Sequence, residues 1–267
     1  MARFPKLSKP IHQLVLPSTG ETLSYRGYTV EEERILLLAA ETMEPKSILD
    51  AIKQLVNNCV LKEDFDLDTI PQFDIEYIFL KLQSRSSQNF IEFHYQPKEC
   101  PLQAEAKDTR CKDKIYVKLE LDQVKVQQLE KDLETWNDFQ SKDATNPFLG
   151  REQLKLTEDI GLLVHYPTLN DLRAIDTSKS APEIKADLMV ACIEKIFDKE
   201  EVFELGVDFT REELKSEFFA SLLPSEKRPL EEFIARIPTI RSEIQVKCSK
   251  CDFSETLKFE GIQDFFV

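Results

Sequence analysis

The chain has 267 residues, 42% of them hydrophobic and 9% aromatic, which is enough for one large core or two modest ones. Its 35 basic and 49 acidic residues give a formal charge of −14, which on average repels phosphate backbones and argues against a nucleic-acid partner. No stretch approaches the roughly 20 uninterrupted apolar residues of a membrane span, and the basic start MARFPKLSKPIHQ lacks the apolar run of a secretory signal. In the cytosolic setting this implies, the 6 cysteines read as core residues or metal ligands and not as a disulfide framework.

Residues 1–29 are expected to form an extended arm. Two short apolar runs, Leu14–Leu16 and Leu23–Tyr28, flank Pro17-Ser18-Thr19-Gly20, a turn cluster in which proline presets φ and glycine supplies a positive φ. Leu14, Leu16, Tyr25 and Tyr28 give this arm an apolar anchor for a partner, while Pro5, Pro10 and Pro17 discourage a helix. Residues 30–88 read as a helical segment. Thr29 and Glu32 stand at capping-box spacing, and Glu31, Glu32 and Glu33 lie at the positive end of the dipole, so a helix is predicted over 30–43. A second helix follows Pro45 with Ile48, Ile52, Leu55, Val56 and Cys59 on one face, and a third over 72–85 carries Ile75, Ile78, Phe79 and Leu82 at helical spacing. The acidic connector Lys62–Thr69 lacks the glycine and the closing glutamate of a calcium loop.

Residues 89–166 are strand-rich. Asn89–Tyr95 and Lys114–Leu121 alternate with a period of two and predict a hairpin whose long loop holds Cys100 and Cys111. Val126, Leu129, Leu133 and Trp136 suggest a helix, then a loop ending at Asn146-Pro147; Leu154–Tyr166 adds one or two strands. Over 167–239 the pattern is helical again. It comprises Thr168–Ile175, then a helix opened by Pro182 and carrying Ile184, Leu188, Met189, Cys192 and Ile196. The next is capped by Thr210 and Glu213 and stopped by Pro224, and the last is opened by Pro229 and ended by Pro238. Residues 240–267 read as strand, cysteine turn, strand and aromatic tail. The sum is an α+β protein with helical clusters flanking a small antiparallel sheet.

Cys248-Ser249-Lys250-Cys251 is the sharpest chemical motif. Two thiolates at this spacing chelate one zinc when a turn aims both sulfurs inward, whereas a redox pair sits at a helix start; strand-like flanks favour metal. Cys100 and Cys111 are the pair that could complete a four-cysteine, zinc-ribbon-like site, with His94 as an outside candidate. The bland alternative is a metal-free sheet end. Cys59 and Cys192 lie on apolar helical faces and read as small buried hydrophobes. Spacing assembles no nucleophile triad around His12 or His165, and no acid–base pair stands out. In the tail, Phe259, Ile262, Phe265 and Phe266 either pack on their own sheet or, at Phe265 and Phe266, present aromatic anchors to a partner.

Three stretches carry a family signal: Leu14 to Thr42 (LVLPSTGETLSYRGYTVEEERILLLAAET), Asp74 to Ser86 (DIEYIFLKLQSRS), and the closing Gly261 to Phe266 (GIQDFF). In order and spacing they resemble the baseplate hub assembly proteins of T-even-type contractile-tailed bacteriophages, with an "LPSTG…YR" arm, a "V-K-E-E-K-x-L-L" helix and a "D-x-E-x-x-F-L-x-L-R-x-x-S" helix. Gly27 stands where that pattern has proline, and Gln83 where it has arginine. The resemblance implies a non-enzymatic structural or assembly protein that binds other tail or baseplate hub proteins, in the host cytoplasm during assembly or in the virion tail baseplate. The alternative from another class is a zinc-ribbon regulatory protein binding polymerase or nucleic acid, against which the net charge weighs.

Overall fold

The computed structural model describes residues 7–42, 45–97, 114–121, 124–127, 151–176, 178–249 and 253–265. Its first element is a β-hairpin made by the arm folding back. β1 (Ile11–Val15) pairs antiparallel with β2 (Thr22–Arg26), Leu14 opposite Leu23. The turn cluster works as its residues dictate: Gly20 sits at φ 71° and donates its amide to Leu16 O at 2.9 Å. Helix α1 (Val30–Thr42) begins at the expected capping box, with Thr29 N donating to Glu32 Oε2 at 2.7 Å and Glu32 N to Thr29 Oγ1 at 3.3 Å. Helix α2 (Pro45–Cys59) buries Ile52, Leu55, Val56 and Cys59 completely or nearly so, the face its periodicity marks.

Helix α3 (Gln72–Ser86) differs from both. Phe73, Asp74, Ile75, Glu76, Ile78, Phe79, Leu80, Leu82 and Ser84 are all buried, so it is wrapped on most sides and forms the spine of the core. One apolar cluster runs from Leu16 and Leu23 through α2 and α3 to Leu162, Leu230, Ile240 and Phe265.

Among the described residues the β structure is divided among four small antiparallel sheets instead of one. Besides the first hairpin, β3 (Phe90–Tyr95) pairs with β4 (Ile115–Glu120), as the alternation predicts. β10 (Thr239–Lys247) lies between β11 (Ser254–Glu260) and β5 (Lys125–Gln127). The fourth sheet has the order β6 (Arg151–Lys155), β7 (Gly161–His165), β8 (Ile193–Phe197) and β9 (Val202–Glu204). Helices α4 (Leu169–Ala174) and α5 (Ala181–Ala191) follow β7. Helix α6 (Arg211–Glu213) continues as a π-helical stretch, Leu214–Phe219, and α7 (Pro224–Ala235) precedes β10. A 3-10 turn, Ile262–Phe265, ends the described chain.

Three sequence expectations are corrected by tertiary context. Val126 belongs to a strand, not a helix: it lies opposite Ile240 and is fully buried in the β10 sheet, while Leu129, Leu133 and Trp136 lie outside the described residues. The helix opened by Pro182 ends at Ala191, with Cys192 as its C-cap; Ile196 belongs to β8, where β-branched side chains pair well across strands. Pro224 opens α7 in its first turn, and Pro229 sits inside that helix, where its missing amide forfeits one bond of the ladder.

Candidate functional site

Two carboxylates one residue apart on α3, Asp74 and Glu76, tie together the ends of the chain. Both are buried. Asp74 receives the arm: Ser18 N donates to Asp74 Oδ1 at 3.0 Å, and Ser18 Oγ donates to Asp74 Oδ2. Burial pushes the Asp74 carboxyl up to about 7, against the opposing pull of the two Ser18 bonds. Glu76 receives the opposite end. It accepts from Gln72 Nε2 at 2.8 Å, Thr239 Oγ1 at 3.2 Å and Ile240 N at 3.4 Å, and burial raises its pKa while these bonds and the Ile262 amide lower it. Gly261, at φ 69°, turns the chain beside Glu76 and donates to Ile240 O at 3.0 Å. The acidic pair therefore joins the Pro-Ser-Thr-Gly turn to the start of β10 and the turn at Gly261 and Ile262.

A second polar link seals the arm. Arg26 Nη2 donates to Glu32 Oε1 at 2.8 Å and Arg26 Nη1 to Glu32 Oε2 at 3.0 Å, a bidentate pair of which both side chains are largely covered. Arg26, and after it burial opposed by the Thr29 bonds, sets the Glu32 carboxyl, which is held down to about 2. Tyr28 N donates to Ser86 Oγ at 2.7 Å, and Ser86 Oγ donates to Leu82 O at 2.6 Å. Gly27 fits because a Cβ there would meet Ser86 Oγ at 3.0 Å and Arg85 O at 3.1 Å. Gln83 has its Oε1 buried without a hydrogen-bond partner among the described residues.

Beside Ser18 lies a cleft of about 540 Å³, lined among others by Thr19, Asp68, His165, Asp171 and Arg211. Its charges are mutually committed. Arg211 pairs with Asp171, Arg151 Nε lies 2.8 Å from Glu194 Oε2, and His165 Nδ1 lies 2.9 Å from Tyr166 O and 3.7 Å from Asp171 Oδ2. Asp171 also closes the capping box of α4 with Thr168. The hydroxyl of Ser18 donates its proton to Asp74, a bond that tethers the turn.

Four of the six expected partner-binding side chains occupy the interior. Leu14, Leu16, Tyr25 and Phe265 are buried in the chain's own core, Phe265 against Phe259 with ring centroids 6.1 Å apart. Tyr28 is half-buried, and its hydroxyl is raised to about 12 by burial. Phe266 lies outside the described residues, as do Cys100, Cys111 and Cys251. Cys248 N donates to Phe253 O at 3.0 Å at the turn between β10 and β11, which is the strand, turn, strand setting expected of it. Among the described residues, no three His, Cys, Asp or Glu side chains group as metal ligands. Cys59 and Cys192 are fully buried, as a small-hydrophobe role requires.

The three segments that meet at α3 fall within one span matched to a known family. Residues 9–267 match the family described as T4 bacteriophage base plate protein. The chain belongs to that family. No match is found among curated proteins or among solved structures. Sequence reading names the Asp74-Ile75-Glu76 motif of this base plate protein without giving its carboxylates a role. The available signal was two acids in a helix whose remaining positions are mostly apolar, an arrangement that requires buried donors from elsewhere in the chain.

Proposed function

We propose that this chain is a non-enzymatic structural or assembly component of the baseplate hub of a contractile phage tail, acting by binding other tail proteins. The family match over residues 9–267 carries this reading. The geometry supports it: the motif residues are spent on locking the arm, α3 and the carboxyl end into one body, and the polar cleft holds paired charges instead of an activated nucleophile. The charge of −14 disfavours nucleic acid. Among the described residues no helix is long and apolar enough to cross a membrane. The proposed setting is the host cytoplasm during assembly and the tail baseplate afterwards.

The test is to disrupt the gene in the phage, complement with tagged protein, and identify what co-purifies from infected cells. Recovery of hub proteins together with restored particles is expected; recovery of polymerase subunits with normal tails would overturn the reading.

We propose in addition that Cys100, Cys111, Cys248 and Cys251 hold a structural zinc ion. Supporting this, Tyr95 Oη donates to Glu255 Oε2 at 2.7 Å, so the end of β3, which leads toward Cys100, lies beside the start of β11, just past Cys251. Elemental analysis of metal-replete protein is expected to find about one zinc per chain, lost on Cys248→Ser. Metal-free protein of unchanged stability would end the proposal.

A further inference from the structure

The surface between β8, β9 and the π-helical stretch contrasts with the committed polar groups around α3. A groove of about 300 Å³ opens there, walled by Ile160, Ile196, Phe197, Phe203, Phe209 and Phe218, with buried Leu214 at its base. Its construction is specific. A Cβ on Gly161 would lie 2.4 Å from the Phe197 ring, so only glycine lets that ring lie across β7. Gly206, at φ 82°, donates to Phe209 O at 2.8 Å and fixes the turn that brings Phe209 into the wall. The opposite wall is the π-helical stretch Leu214–Phe219, a geometry that recurs at functional sites. Among the described residues β9 is an edge strand of its sheet, and it leaves Val202 62% and Phe203 37% exposed beside the groove.

The rim has one sign of charge. Asp198, Glu213 and Glu217 line the groove, and no lysine or arginine does so among the described residues. Lys199, the neighbour of Asp198, pairs with Asp159. An apolar slot of this size takes one or two large side chains, and carboxylates around it favour cations on either flank of that anchor.

We propose that this groove receives a segment of another tail protein consisting of an aromatic or aliphatic anchor flanked by lysine or arginine. The inference rests on the reading of this chain as a binding component and names the chemistry of its partner. Glu217 is the rim carboxylate to change, because Glu213 caps α6 through Thr210 and Asp198 accepts the amides of Glu200 and Glu201.

The test uses the full chain and short fluorescein-labelled peptides with a central Phe-Leu anchor, flanked by lysines, by glutamates, or with the anchor replaced by alanines. Fluorescence anisotropy is expected to show the lysine-flanked peptide binding at least about tenfold tighter than either control, more weakly as salt is raised. Phe203→Ser should abolish this binding while the chain stays folded with a lowered melting temperature, and Glu217→Lys should weaken it about threefold to tenfold with the melting temperature unchanged. Equal binding of the glutamate-flanked peptide, no binding, or indifference to both substitutions would overturn the proposal. So would concentration-dependent dimers of the wild type that Phe203→Ser dissolves, which would assign the groove to a second copy. Co-purification separates the two levels. If the variants still recover hub proteins, the groove fails and the assembly reading stands. If wild type recovers none, the assembly reading fails while the peptide titrations judge the groove.

Discussion

The region around α3 and the region around β9 invert the usual placement of polar and apolar groups. At α3, carboxylates are buried and every one is met by donors from distant parts of the chain: Asp74 by the arm, Glu76 by β10. At β9, aromatic and aliphatic side chains face outward and the neighbouring carboxylates are the solvated rim. A buried acid without its donors costs several kcal/mol, so the α3 arrangement selects one way of closing the chain. An exposed apolar groove contributes little to folding and is available to a partner. The difference assigns stability to the first region and recognition to the second.

The largest effect that could break this division is expected at Leu16, which is 1% exposed beneath the hairpin turn. Leu16→Ala should cost about 2–5 kcal/mol in urea unfolding, the range for deleting a buried leucine side chain. A loss near zero, with intact tail assembly abolished, would return the arm to partner binding.

Arg26→Met should cost about 2 kcal/mol near neutral pH, less than a fully buried pair because both partners keep some solvent. The sign with pH follows from Glu32, whose carboxyl is held down to about 2 when folded. The stability it contributes is present above the ordinary glutamate range and is lost as pH falls through that range toward 2. Wild type should therefore lose more stability than the variant between about pH 6 and about pH 3. Parallel acid profiles would show that the pair does not hold the arm.

Asp74→Asn sharpens the comparison through its pH dependence, with little or no loss of stability expected near neutral pH. Its carboxyl is raised to about 7, so the folded state binds a proton that the unfolded chain has released, and stability declines as pH rises from about 4 to about 7. Asparagine keeps an acceptor for the Ser18 amide without the charge, and the variant should lose that slope while matching or exceeding wild type above about pH 7. An unchanged slope would place the titration elsewhere. At the other region, Val202→Ser is expected to change stability by no more than about 0.5 kcal/mol, measured by thermal melting, because its side chain is exposed on an edge strand. A larger loss would mean that β9 belongs to the core.

Much of the scaffold was legible because its signals are local. The Thr29 and Thr210 capping boxes, the Pro-Ser-Thr-Gly turn and the alternation of β3 and β4 each rest on residues within a few positions of one another. The errors occurred where a distant strand overrode local preference. Val126 lost its helical reading to pairing with Ile240, and Ile196 lost its own to pairing with Leu162 and Phe203. The proline readings failed for another reason: Pro224 and Pro229 are near enough to share one helix, and spacing alone does not say which of them opens it. Of the candidate site, the sequence shows Asp74 and Glu76 only as members of a helical motif, because the donors that meet them lie 56 and 164 residues away.

By itself, then, the sequence determined the α+β class, the capped starts at Thr29 and Thr210, the Pro-Ser-Thr-Gly turn, and a base plate kinship. These follow from dihedral limits, local hydrogen bonds and periodicity. Tertiary structure alone decided that Leu14, Leu16, Leu23 and Tyr25 of the arm lie inside, that Ser18 and Ile240 satisfy two carboxylates of one helix, and that phenylalanines far apart in sequence line one acidic-rimmed groove. Burial and complementary charge are properties of surfaces brought together across the chain, and no window of neighbouring residues contains them.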